Sequence, residues 1–84
     1  MKESFEGLKR EMDDACAFMR SFTLGRRGFT RRDGATAIQL VRELSERLHW
    51  AFASGDHHKE AAQAIASAKG QILAAQARLD LLDR

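Results

Sequence analysis

Residues 40–68, LVRELSERLHWAFASGDHHKEAAQAIASA, decide the fold. Two helical patterns flank a turn too short to do anything but reverse the chain. With successive residues placed 100° apart, Ala37, Leu40, Val41, Leu44, Leu48, Ala51 and Phe52 form a broad apolar stripe before the turn. Ser54-Gly55 ends that pattern, and Asp56 (or Ser54) can cap the next helix by accepting a backbone N–H. Beyond the turn, Ala61, Ala64, Ile65, Ala68, Ile72, Ala75, Leu79 and Leu82 share one face. Ala62, Ala66, Leu73 and Ala77 share a second. A link of Ser-Gly-Asp makes these two helices an antiparallel hairpin.

Upstream, Phe5, Leu8, Met12, Ala15, Cys16, Met19 and Phe22 lie on one side of a further helical pattern, with Phe18 at its edge. Ser4 is placed to cap it and Gly25 to stop it. The chain has no proline and is rich in Ala, Leu, Glu, Arg and Gln, which favours helix throughout. The expectation is an all-α, three-helix domain over residues 1–84, with helices at about 4–23, 33–54 and 56–82 built on a long antiparallel hairpin. Thr30, with Asp33 as its capping-box partner, is the alternative start of the second helix.

At about 1.5 Å per residue the third helix is ~40 Å long and the second ~30 Å. Its end, RLDLLDR, is therefore expected to overhang unless helix one or a second subunit covers it. Two apolar faces on helix three imply two neighbours, and 84 residues bury only a modest core. A homodimer is expected, with Leu73, Leu79, Leu81 and Leu82 at its interface.

The formal net charge is +2, and its distribution is uneven. Residues 23–34 carry four arginines and one aspartate, which places the excess in the stretch GRRGFTRRDG, 25–34. Arg26, Arg27, Arg31 and Arg32 suit phosphates or carboxylates, and Phe29 could stack on a base or tuck into the core. The positive end of the second helix's dipole lies beside them. The Walker pattern's closing Lys-Ser/Thr is missing. Trp50 falls roughly opposite the apolar stripe of its helix, near Gln39, Glu43 and Glu46. An exposed tryptophan is a common anchor of protein interfaces.

The remaining chemistry is sparse. His49, His57 and His58 gather at the turn with Asp56 and Glu60, but no set of convergent metal ligands is legible, and no metal or cofactor is expected. These histidines are read as surface residues. Cys16 sits on an apolar stripe and reads as an inert core thiol. No nucleophile–base pair occurs at a readable spacing, and Glu6/Arg10, Glu43/Arg47 and Asp80/Arg84 are ordinary helix-surface pairs. No enzymatic activity is expected. The opening MKESFEGLKREMDD lacks the apolar segment of a signal peptide, and no run approaches the roughly 18 apolar residues of a membrane span. A cytoplasmic location is expected.

In size and shape the chain resembles the small helical adaptors, secretion chaperones and phage-encoded inhibitors of bacteria, a likeness with no motif behind it. The functional expectation is a non-enzymatic regulator, inhibitor or adaptor, bacterial or phage in type, that docks on a larger protein with an acidic surface. Arg26, Arg27, Phe29, Arg31, Arg32 and Trp50 are its candidate contacts. The alternative is a nucleic-acid-binding module whose loop 25–34 contacts phosphates.

Overall fold

Ser4 opens the first helix as its position suggests, with the Gly7 N–H donating to Ser4 Oγ at 3.0 Å. The computed structural model describes residues 4–83 and places them in three helices, α1 (Phe5–Thr23), α2 (Arg31–Ala51) and α3 (His58–Leu82). Gly25 stops α1 with φ near +70°. The Gly25 N–H donates to the Phe22 carbonyl at 3.0 Å and the Arg26 N–H to that of Ser21 at 3.1 Å. This paired arrangement satisfies carbonyls the helix leaves open and favours a residue without a side chain.

The Thr30 capping box starts α2, rather than Asp33 as first cap. The Asp33 N–H donates to Thr30 Oγ1, and the Thr30 N–H donates to the Asp33 carboxylate at 2.8 Å. The helix consequently begins two residues early, and it ends at Ala51 instead of running to residue 54. The link to α3 is correspondingly longer, residues 52–57, with Gly55 turning it at φ near +99°. Neither Asp56 nor Ser54 caps α3. Its capping position is His57, which contributes no side-chain bond to the helix backbone. Packing of the His57 ring, described below, holds that end instead.

The helices run up, down and up. At the lower end Phe5 meets Phe52 edge-on, with ring centroids 5.3 Å apart, and stacks flat on His57 at 4.3 Å. At the upper end Arg31, in the first turn of α2, forms an ion pair with Asp83 beyond the last turn of α3. Between these ends Met12, Met19, Phe22, Val41, Leu44, Leu48 and Ala68 are almost wholly removed from solvent. Fully burying one such Leu, Val, Met or Phe contributes roughly 1.5–3 kcal/mol. All seven stripe residues expected on α1 are buried. Ile38 and Gly34 of α2 are buried as well, whereas Leu40 and Ala51 at the edges of its stripe are exposed.

Helix α3 departs most from expectation. Among the described residues only one of its two apolar faces has a neighbour: Ala61, Ala68, Ile72 and Ala75 are buried, while Ala62, Ala66, Leu73 and Ala77 are exposed. At its end the Arg78 guanidinium lies against Gly25 and Asp83 pairs with Arg31, while Leu81 and Leu82 stay exposed. At the lower end α3 begins beside the N-terminus of α1, where His57 stacks on Phe5.

Candidate functional site

The arginine-rich stretch is only partly a loop. Arg31, Arg32, Asp33 and Gly34 belong to α2, which leaves residues 24–30 as the connection. Phe29 is half-buried and packs on the core and on the Phe18 ring, at 5.1 Å between centroids. It pins the loop and does not stand free to stack on a base. Arg31 is held by Asp83, whose hydrogen bond and charge raise the guanidinium above its ordinary value. Arg26, Arg27 and Arg32 are exposed and have no ion-pair partner among the described residues.

Two further arginines arrive at this end from elsewhere in the chain. Arg20, in the last turn of α1, reaches Gln71 Oε1 of α3 at 3.3 Å. Arg78 of α3 is half-buried against Gly25, and its Nε is enclosed without a hydrogen-bond partner. The fold thus gathers Arg20, Arg26, Arg27, Arg31, Arg32 and Arg78 at one end, against Asp33, Asp80 and Asp83, a side-chain charge of +3. The other described residues carry six Lys or Arg and eight Asp or Glu, or −2. Charge is therefore separated along the long axis, which measures 44 Å.

Trp50 lies at the other end of α2. It is 79% exposed, so α1 does not fold over it. Glu43, Glu46, Arg47 and Ala51 form a shallow groove beside it, and His49 meets the indole edge-on at 5.3 Å. Arg47 also reaches across to Glu11 of α1 at 3.3 Å. Trp50 and Arg32 are 18 positions apart on the same side of one helix, about 27 Å at ~1.5 Å per residue. The structure does not bring the tryptophan and the arginines into one patch.

The other candidates are dispersed. His57 is a partly exposed residue whose ring stacks on Phe5 and whose Nδ1 is enclosed, 3.5 Å from Glu60 Oε1. That contact is an electrostatic approach when the ring is protonated, and too poorly formed to count as a hydrogen bond. His58 Nδ1 lies 2.8 Å from the Gly55 carbonyl. Among the described residues no group of three or more His, Cys, Asp or Glu could hold a metal ion. Cys16 is buried, and desolvation pushes its thiol above the ordinary value, more than Arg20 lowers it. Lys9–Asp13, a surface pair not among those expected, closes at 2.8 Å, and Arg84, the expected partner of Asp80, lies outside the described residues.

The four leucines of α3 separate into two groups. Leu79 packs against the chain's own core, whereas Leu73, Leu81 and Leu82 are 72%, 60% and 45% exposed. No helix among the described residues is long and apolar enough to cross a membrane. Sequence spacing alone could not show Arg78 at the arginine end, because it lies 46 positions beyond Arg32, whereas Arg20 is only six positions before Arg26 and follows from where α1 ends. Comparison with protein-family models, with curated proteins and with solved structures finds no match to this chain, so its residues alone carry the functional reading.

Proposed function

We propose that this protein is a non-enzymatic, cytoplasmic regulator or adaptor that works by docking onto another protein, with Trp50 as the anchor. The observation that supports this most is the 79% exposure of the indole on a helix whose other large apolar residues, apart from the half-exposed Leu40, are turned inward. The indole and the neighbouring Arg47 are residue types enriched in interface hot spots, and Glu43 and Glu46 add directional polar contacts at the rim. The arginine end, ~27 Å away along α2, then acts as a separate element that steers an acidic surface into place. Occlusion of the partner, or retention of one of its conformations, would be the means of regulation.

A second reading, a nucleic-acid contact, draws on the convergence of six arginines from the three helices and the connection between the first two. Only Arg26, Arg27 and Arg32 are exposed and unpaired among the described residues. Three phosphate contacts give a log–log salt slope of about −3. Immobilised protein in an extract of the organism that makes it separates the two readings. Loss of a captured protein on Trp50→Ala supports docking. Nucleic acid that is retained by wild type and lost on replacing Arg26, Arg27 and Arg32 with Ala supports the alternative.

A further inference from the structure

Along the outer side of α2, residues 32, 36, 39, 43, 46 and 50 recur at alternating spacings of four and three. That rhythm keeps them on one line of the helix surface. Arg32, Thr36, Gln39, Glu43, Glu46 and Trp50 are all exposed. They face away from Ile38, Val41, Leu44 and Leu48, which are buried against α1 and α3. The line is chemically polarised, with a free guanidinium at one end and two carboxylates with an indole at the other. It is also balanced about residue 41, from which Arg32 and Trp50 are equally distant.

We propose that this face is covered by the same face of a second copy, laid antiparallel about residue 41. Trp50 of each copy then meets the partner's Arg32, whose planar cation suits the negative face of an indole. Glu46 falls opposite Thr36 and within one turn of the same arginine. Gln39 falls opposite Glu43. The wider charge distribution agrees, because side-by-side antiparallel copies set the +3 end of each against the −2 remainder of the other. The contact is isologous and closes as a dimer instead of growing into a filament. A single helix face per subunit is a small interface, so the dimer is weak and forms with concentration. This inference rests on the reading of Trp50 as an interface residue, and the weak self-contact opens when a foreign partner takes the same indole.

Sedimentation of the full chain between about 1 μM and 1 mM, paired with emission of its single tryptophan, tests the proposal. The expected result is a monomer–dimer equilibrium with emission moving to the blue as dimer forms. Arg32→Glu and Glu46→Arg should each raise the dissociation constant about tenfold, and Trp50→Ala at least as much. The charge-swapped double variant should return to within a few-fold of wild type. Circular dichroism melting checks that each variant folds. A chain that stays monomeric throughout overturns the proposal, as does a dimer indifferent to Arg32→Glu and Trp50→Ala but dissociated by Leu73→Glu, which would place the contact on α3. A monomer whose capture of a foreign protein depends on Trp50 sinks the pairing alone. A Trp50-dependent dimer that captures nothing else sinks the docking reading alone.

Discussion

The ring of Phe22 fills the space that a side chain at Gly34 would occupy. A Cβ built there would lie 2.3 to 2.5 Å from three ring carbons, well inside contact distance. Phe22 is 1% exposed and Gly34 is buried, so α1 and α2 meet here at the closest approach the glycine allows. Gly34→Ala gains helix propensity, about 1 kcal/mol, yet must displace a fixed aromatic ring. Overpacking of this kind costs about 1–3 kcal/mol, so a net loss of stability is expected. Urea denaturation measures it, and Phe22→Leu in the same chain should recover part of the loss.

Gly25 and Gly70 should respond in opposite directions to the same substitution. Gly25 has positive φ, and a Cβ there would approach Arg78 Nη2 to 2.9 Å. Gly25→Ala should therefore destabilise by about 1 kcal/mol or more. Gly70 lies inside α3 with nothing within 4 Å of the added carbon. Gly70→Ala should stabilise by roughly 0.5–1 kcal/mol. Thermal melts of the two variants decide both.

Trp50 and Leu48 are near neighbours on one helix with contrasting environments. Leu48→Ala empties a site that is 0% exposed and should cost about 2–5 kcal/mol. Trp50→Ala should change the stability of the dilute chain by no more than ~0.5 kcal/mol. If chemical denaturation gave Trp50→Ala a loss comparable to that of Leu48→Ala, the indole would belong to the core.

The burial of Cys16 gives stability a pH dependence at the alkaline end. Its folded value is raised above the ordinary 9.0 chiefly by desolvation. The contribution is complete below 9.0 and is lost as pH rises through the folded value, because the unfolded thiol ionises first. Stability should therefore fall above about pH 9, and less so in Cys16→Ala. Below that range a thiol reagent should react only at the rate of opening, far more slowly than with the unfolded chain.

Thr30→Ala removes one side of the capping box and should cost about 1 kcal/mol. Shortening of α2 by its first turn would appear as faster amide exchange at Asp33 and Gly34. That turn carries Arg31 and Arg32, so the variant should also loosen the contact of Arg31 with Asp83.

How much of this was legible beforehand depended on the side chains. The stripe of α1 is built from Phe, Leu and Met separated by charges, and its phase is unambiguous. Helix α3 is mostly alanine, which suits exposed and buried positions equally well. Its second apolar face therefore resembled a packing surface, and within the single chain Ala62, Ala66, Leu73 and Ala77 are exposed. Gly34 already fell inside the expected 33–54 helix, but its burial against the Phe22 ring had no local sign. Arg31–Asp83 and Phe5–His57 join residues 52 positions apart, and no local pattern announces such pairs. Trp50 was the most readable candidate, since its angle on the helix already set it opposite the stripe.

The up-down-up order has an electrical consequence for the arginine end. Helices α1 and α3 both finish there, while α2 alone begins there. Each finishing helix presents open carbonyls worth about −0.5 charge and each beginning helix about +0.5. The backbone thus subtracts from the surplus of guanidinium groups, and Arg20 and Arg78 sit where they answer it. A polyanion approaching this pole would meet a weaker field than a census of side chains implies, most of it issuing from Arg26, Arg27 and Arg32.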